Sequence, residues 1–377
     1  NPFDPDMASM IHNEMRKHGI KLVLGYTVEG FREKDNGVEI LLKDNPSLQA
    51  DMVVLAIGVT PDTALAKEAG LELGIKGSIV VNDRMETSVP DIYAAGDAVQ
   101  VKHYVTGDDA LISLAGPANK QGRIIADNIC GGDSHYLGSQ GSSVIKVFDM
   151  TAATTGINET NAKKSGLEVD TVILSPMSHA GYYPGGKVMT MKVVFEKETY
   201  RLLGAQIIGY EGVDKRIDVL ATAIHAGLKA TQLKDLDLAY APPYSSAKDP
   251  VNMAGFMIDN IAKGTLKQWH LEDMDKISRD KSVVLLDVRT VGEFNRGHMD
   301  GFKNIPVDEL RERINEIEKG KPVYLICQSG LRSYIASRIL EGNGYETYNF
   351  SGGFRFYDAV VNDRALIEKA YACGMDY

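Results

Sequence analysis

Cys327-Gln328-Ser329-Gly330-Leu331-Arg332 is the stretch of this 377-residue sequence in which residue type and spacing most plainly permit chemistry. The cysteine ends an apolar run, Val323-Tyr324-Leu325-Ile326, that reads as a short buried strand, and a helix begins within or just after the loop. A thiol so placed faces a helix N-terminus, whose free N–H groups and positive dipole end favour an anion. That field favours the thiolate, the form that attacks. Arg332 adds a fixed positive charge, and Gly330 lets the loop backbone turn its amides inward. A cysteine taken alone reads as a small buried hydrophobe. The strand–loop–helix placement, with Gly and Arg at these offsets, makes Cys327 a reactive thiol instead. Asp287 and Arg289, at the end of an earlier strand, read as a charged pair that locks the fold rather than reacts.

A second candidate site is the pair Gly96-Asp97, which sets a carboxylate at the C-terminal edge of a predicted strand, Ile92–Ala95. A helix follows, with Pro117 near its start and Gly131-Gly132 at its end, the asymmetry helices prefer.

The elements that must position these groups follow from hydrophobic patterning. Met7, Met10, Ile11 and Met15 stand at helical spacing within residues 6–18, and Gly19 ends the run. Three β patterns come next, at residues 21–27, 37–43 and 51–58; the last, Asp-Met-Val-Val-Leu-Ala-Ile-Gly, is continuously apolar, as in a fully buried strand. Residues 78–81 read as another strand. Residues 188–196 and 200–209 predict an antiparallel hairpin, followed by a helix with Ile217, Leu220, Ala221 and Ile224 on one face. The polar stretch 263–277, with the sole tryptophan, Trp269, reads as a linker. Beyond it come strands at 283–287, 323–326 and 345–349, a helix around Leu310, Ile314 and Ile317, and a helix over 331–342.

Composition narrows the class. The chain is 44% hydrophobic and 24% charged, as globular proteins are. No apolar run reaches the roughly eighteen residues that a membrane-spanning helix needs. A net charge of −10 argues against a nucleic-acid partner, which would want a basic face. Three cysteines, Cys130, Cys327 and Cys373, cannot form a disulfide framework, and no signal peptide opens the sequence, so a reducing cytoplasm is expected. Cys130 and Cys373 read as structural or incidental.

Residues 283–310 and 323–340, continuing to the Asn349–Gly353 turn, resemble the rhodanese family. The resemblance rests on Asp287-Val-Arg289, Glu293-Phe294, Gly297-His298, Asn304-Ile-Pro306 and the cysteine loop. It implies that Cys327 takes sulfane sulfur as a persulfide, held by the loop amides. Related phosphatases use a loop one residue longer to fit a phosphate. Four residues separate Cys327 from Arg332, the length that favours sulfur transfer.

Residues 53–71 and 79–98 resemble the pyridine-nucleotide–disulfide oxidoreductases. The resemblance implies that Asp97 hydrogen-bonds the ribityl chain of FAD, with Gly96 and Gly58 nearby, and that the helix opening at Ala115-Gly-Pro-Ala-Asn119 aims its N-terminus at the flavin. Residues 178–189, 212–227 and 238–255 resemble the dimerisation domain of coenzyme A disulfide reductases. This implies a homodimer in which Tyr240 and Tyr182, or its neighbour Tyr183, assist reduction of a CoA disulfide or persulfide across the interface. Tyr240 would border the cofactor as well, and Lys248 and Asn119 would contact CoA. No GxGxxG motif and no matching redox cysteine occurs. The resemblance therefore implies the C-terminal part of a longer enzyme using FAD and NADH or NADPH. The expected fold is a multidomain mixture of α/β and α+β parts: the remainder of an NAD(P)H-binding Rossmann-like domain (1–60) and of an FAD-binding one (61–140), an α+β dimerisation domain (141–264) and a rhodanese-like α/β domain (272–377). The rival readings are an NADH peroxidase or oxidase of the same superfamily, and a non-catalytic fragment that dimerises and binds sulfur.

Overall fold

The computed structural model describes residues 2–372, and for 369–372 the backbone alone. Cys373 lies outside the described residues. The chain forms two compact units. One gathers the stretch up to Ile20 with Ser143–Arg364; the other is built chiefly from Lys21–Ser142. Residues 1–20 thus part company with 21–60, to which the sequence reading had joined them.

The chain opens with α1 (Pro5–Lys17) of the first unit, with Pro at its first position and basic residues in its last turn, as helix termini favour. The second unit follows. Its antiparallel sheet of β1 (Val28–Lys34), β2 (Gly37–Leu42) and β3 (Asn45–Ala50) is succeeded by α2 (Ala64–Glu68), a short ribbon of β4 (Val101–Lys102) and β5 (Asp109–Ala110), and α3 (Ala115–Ile129). Its core is small: Met85, Val99 and Val101 are buried, with Ile79, Ile112, Ile124 and Ile125 against them.

Four strand expectations fail in this unit. Residues 21–27 and 51–58 are not strands, and the apolar run 51–58 is exposed, Ile57 at 90% and Val54 at 76%. A buried strand needs neighbours on both edges to accept its hydrogen bonds. Among the described residues none flanks this segment. Residues 78–81 and 92–95 contribute only isolated bridges, Ile79 to Val99 and Glu86 to Tyr93. Cys130 is an exposed residue capping the C-terminus of α3, not part of the helix interior.

The first unit resumes with β6 (Ser143–Val147), β7 (Met150–Gly156), α4 (Glu159–Lys164), β8 (Val169–Leu174), β9 (Thr190–Glu196) and β10 (Leu202–Gly209). The strands form an antiparallel sheet in the order β6-β7-β10-β9-β8, so the expected hairpin is present as β9–β10. Two helices complete this part. In α5 (Val213–His225), Ile217, Leu220 and Ile224 are buried, while α6 (Pro250–Ala262) is capped by the Asp249 carboxylate. Then follow β11 (Gln268–Trp269), α7 (Met274–Ile277), β12 (Val284–Asp287), α8 (Val291–Asn295), β13 (Lys303–Asn304), β14 (Val323–Ile326), α9 (Leu331–Glu341), β15 (Thr347–Phe350) and α10 (Gly353–Ala372). Their five strands pair in parallel, in the order β11-β15-β14-β12-β13.

The expected linker is instead part of this sheet. Trp269 pairs beside Phe350 in β11, is 2% exposed, and packs on Phe302, Tyr324 and Phe350. The large apolar area of the ring outweighs the polar character of its neighbours in sequence. The predicted helix around Leu310–Ile317 is a series of turns closed by a 3₁₀ turn at Ile314–Glu316, although Leu310 and Ile317 are buried as that pattern required. Among the described residues no helix is long and apolar enough to cross a membrane.

Asp287 and Arg289 form the expected lock. Both are essentially inaccessible, joined at 2.6 and 2.9 Å, and Arg289 also reaches the carbonyl of Gly297 at 2.8 Å. Replacing Arg289 by Met strands a buried carboxylate, which destabilises a fold by about 3–5 kcal/mol. Urea unfolding of the full chain should show a loss of that size; a loss below about 1 kcal/mol would show that the pair is dispensable.

Candidate active site

The cysteine loop runs from the end of β14 into α9, as the sequence predicted. Two donors meet the Cys327 sulfur: the Gly330 N–H at 3.1 Å and the Ser333 hydroxyl at 3.2 Å. The loop keeps this form because its carbonyls are tied elsewhere. The N–H groups of Phe354 and Arg355, at the start of α10, donate to the carbonyls of Cys327 (2.8 Å) and Gln328 (3.2 Å). That approach needs Gly353, with φ 70°, since a Cβ there would come within 2.7 Å of the Gln328 oxygen. Gly330, φ 98°, makes the turn into the helix. With the carbonyls drawn off, the Gly330 amide and the Ser333 hydroxyl are what face the thiol, donors suited to an anion.

Arg332 does not stand as an isolated charge. Glu293 accepts from both its terminal nitrogens at 2.7 Å, a bidentate pair. That pair is the main reason the Glu293 carboxyl is held down to about 2, with the Thr290 cap helping and partial burial opposing. Arg332 is raised in turn, first by Glu293. Glu293 figured in the sequence as a motif residue only; Ser333 did not figure at all. A hydroxyl at Cys+6, one turn into the following helix, is the local signal that would have found it.

A second locus lies on the antiparallel part of the same unit. Tyr182 and Tyr240 come together, their hydroxyls 2.7 Å apart, although 58 residues separate them. The hydrogen bond it shares with Tyr182 raises Tyr240 above the ordinary phenol value. Tyr183 turns the other way and meets the buried His179 edge-on. Arg216, from α5, explains why the two phenol-bearing loops meet. Its guanidinium is 1% exposed and donates to the Ser178 carbonyl at 2.9 Å on one loop, and to Ser245 Oγ at 3.2 Å and Asp249 at 3.0 Å on the other. Ala180 N–H donates to the Ser245 carbonyl at 3.0 Å, a direct stitch between the loops. A cavity of about 560 Å³ opens here, lined by His179, Glu211, Lys215, Arg216, Tyr240 and Tyr244 among others. Lys248 is exposed beside it in sequence, its ammonium 5.9 Å from the Phe256 ring centroid. Arg216 and Asp249 escaped the sequence reading because nothing local marks a charged pair 33 residues apart as buried.

The third locus belongs to the second unit. Gly96, Asp97 and Ala98 form a 3₁₀ turn packed on α3, and Gln121, itself buried, accepts the Gly96 N–H at 2.7 Å. Asp97 is left exposed with its carboxylate free to receive a hydroxyl. At the start of α3 no side chain caps the first N–H groups, and Ala115 is exposed. Asn119 bonds back to the Ala115 carbonyl at 3.0 Å. An uncapped positive helix end beside a presented carboxylate fits a polyhydroxyl chain and an electron-rich ring, as a flavin has. Gly58, φ 96°, lies in the exposed segment and touches neither Asp97 nor Ala115 in any recorded hydrogen bond.

Three family models match the chain. Residues 1–122 match the pyridine nucleotide-disulphide oxidoreductase model, residues 142–250 the dimerisation domain of that family, and residues 270–359 the rhodanese-like domain. A curated relative from Pyrococcus abyssi, an "NAD(P)H sulfur oxidoreductase (CoA-dependent)", is 37% identical over 249 residues, 66% of this chain and 55% of that protein. The structure of reduced Bacillus anthracis CoADR-RHD is 46% identical with a TM-score of 0.92, over 96% of this chain and 65% of that one. An NAD-dependent persulfide reductase from A. fulgidus is 40% identical with a TM-score of 0.86, over 94% and 65%. The chain thus spans between about half and two thirds of the proteins it resembles. It belongs to the pyridine nucleotide-disulphide oxidoreductases, carrying that family's dimerisation domain and, behind it, a rhodanese-like domain.

Proposed function

We propose that this chain is part of a flavin-dependent NAD(P)H oxidoreductase that reduces CoA disulfide, CoA persulfide or polysulfide, coupled to sulfur transfer at Cys327. It acts as a homodimer in the cytoplasm. Its parts are an NAD(P)H-binding remnant (1–60), an FAD-binding remnant (61–140), the dimerisation domain (141–264) and the rhodanese-like domain (272–377). One observation carries the reading: a thiol met by a loop amide and a helix hydroxyl, and an exposed pair of hydrogen-bonded phenols, occur in one chain. The names of the similar proteins, CoA-dependent and persulfide-reducing, support it.

Asp97 and the start of α3 would hold FAD, which supplies the route by which the electron pair of NAD(P)H reaches a sulfur–sulfur bond. The chain's own groups do the rest. Tyr240, held in place by its hydrogen bond with Tyr182, donates a hydrogen bond or proton to a departing thiolate, the group a disulfide releases on reduction. Lys248, exposed at the edge of the phenol loop, offers a cation to the CoA phosphates, with Asn119 and Tyr183 as further contacts. The Cys327 thiolate attacks the outer sulfur of a sulfane donor, the donor's bond to that sulfur breaks and its electron pair departs with the remainder of the donor (sulfite, from thiosulfate), and the Gly330 N–H steadies charge on the sulfur. Glu293 holds the Arg332 guanidinium in one orientation beside the loop.

Cys327→Ser in the full chain should abolish thiosulfate-dependent sulfur transfer; normal transfer would sink the assignment. In the enzyme that carries this chain, Tyr240→Phe should slow reduction of CoA disulfide by about ten- to a hundredfold while the flavin absorption band persists. Unchanged turnover would leave Tyr240 a packing residue, and an enzyme using only oxygen as acceptor would favour the oxidase reading.

Glu293 yields a pH test. Its folded-state value lies below the ordinary 4.5, near 2, so its pairing stabilises fully above 4.5 and fades as pH falls toward 2. The difference in melting temperature between the wild type and Glu293→Gln should therefore be constant above pH 4.5 and shrink below it. A difference that instead grows on acidification would contradict the ion pair.

A further inference from the structure

Ser333 is inaccessible, lies in the first turn of α9, and places its Oγ between two acceptors: Cys327 Sγ at 3.2 Å and the Gly330 carbonyl at 3.1 Å. A hydroxyl has one hydrogen, so it serves one of them at a time. The Gly330 carbonyl does not depend on it, because Asn349 Nδ2 already donates there at 3.2 Å. Asn349 is itself buried, and its Oδ1 has no hydrogen-bond partner among the described residues, so this side chain is committed to donating toward the loop. The serine proton is left available for the sulfur.

We propose that Ser333 is the positioning residue that governs discharge of sulfur from Cys327, by donating to Sγ when, and only when, that sulfur carries negative charge. The inference rests on the reading of Cys327 as a sulfur carrier. In the charged form, Cys327–S–S⁻, Sγ is a neutral divalent sulfur and a weak acceptor, and the hydroxyl turns to the Gly330 carbonyl. During discharge a nucleophile attacks the outer sulfur. A bond forms between the two, the Sγ–S bond breaks, and its electron pair stays on Sγ as thiolate. The acceptor leaves with the sulfane sulfur, and no external oxidant or reductant is needed. As charge gathers on Sγ, the serine hydrogen swings across to it, adding a charge-assisted bond to the one from the Gly330 N–H. An interaction that strengthens only as the leaving group departs accelerates that step. Loading, which consumes the same thiolate, gains nothing from the bond.

The test uses the full chain and its Ser333→Ala and Ser333→Thr variants. Each is loaded with thiosulfate, freed of excess donor, checked by mass for one added sulfur on Cys327, and mixed with cyanide while thiocyanate is followed. Ser333→Ala, which removes one oxygen and leaves no cavity to speak of, should load normally and discharge about tenfold more slowly, the effect of losing one hydrogen bond to a charged group. Alkylation of Cys327, followed by mass to separate it from Cys130 and Cys373, should shift to higher pH in the same variant. Ser333→Thr, which keeps the hydroxyl, should restore discharge to within about threefold of the wild type. Equal discharge rates with an unshifted alkylation profile in Ser333→Ala would overturn the proposal, as would a threonine variant as slow as alanine. A wild type that takes up no sulfur at all would overturn the carrier reading beneath it.

Discussion

A charge taken out of water must find its partners inside the protein, and three such charges organise the first unit. Arg216, Arg289 and Lys192 are among its largest fully buried side chains. Desolvating each costs several kcal/mol, so each is tolerable only where carboxylates and carbonyls converge on it. Around Lys192, on β9, stand Asp6 at 2.8 Å, Asp4 at 3.2 Å and Glu159 at 2.7 Å, which fixes the start of α1 and of α4 against the sheet. Burial opposes its charge, but the three carboxylates prevail and raise it above the ordinary lysine value. Arg289 closes the strand end at the sheet that carries the thiol, and Arg216 draws two loops to one point. In each case the cation's demand for acceptors, not the acceptors' own preference, sets where the surrounding backbone goes.

That logic reaches the two sulfur-related loci by different routes. At the thiol, backbone groups do most of the positioning: α10 takes the loop carbonyls, and the Gly330 amide is left facing Sγ. At the phenols, a side chain does it, because Tyr182 and Tyr240 sit on loops with no ladder between them apart from the Ala180–Ser245 bond. A guanidinium with five donors is suited to the task, since its fork can serve several carbonyls and a carboxylate at once. Removing its charge would strand Asp249, which also caps α6, so phenol geometry and helix stability are coupled through one residue.

What the sequence made legible was whatever is encoded locally. The cysteine loop is contiguous, so its strand, turn and helix could be read from neighbouring residues, and the Asp287–Arg289 pair is only two residues apart. The helices α1 and α5 carried their own periodicity, and α3 was marked by Pro117 near its start and Gly131-Gly132 at its end. Trp269 was misread because its flanks are polar while its packing partners, Phe302, Tyr324 and Phe350, lie far along the chain. Residues 51–58 were misread for the opposite reason. Their apolar pattern is strong, but a strand is completed by its neighbours, and here none supply the ladder. Leu310 and Ile317 show the intermediate case: burial was predicted correctly and the helix was not, since turns can bury the same residues. Arg216 with Asp249, and Ser333 with Asn349, are pairings between distant segments that no single-sequence periodicity encodes.

The contrast in exposure between the loci bears on what each can accept. Cys327 is 1% exposed, whereas Tyr182 is 76% and Tyr240 46% exposed. A thiol so enclosed admits a slender sulfur donor end-on but not the flank of a bulky disulfide, which must bring substituents to both sulfurs. The phenol pair is open in the single chain, its two hydroxyls 2.7 Å apart. Access within the single chain divides the two loci, an enclosed thiol on one side and an open phenol pair on the other. The donors fit the same division. The enclosed sulfur is met by groups with fixed positions, which lose little freedom on use, while the exposed phenols depend on each other's hydrogen bond for orientation. A carrier thiol in the open would exchange with any disulfide in solution; burying it confines its chemistry to the small partners the loop can seat.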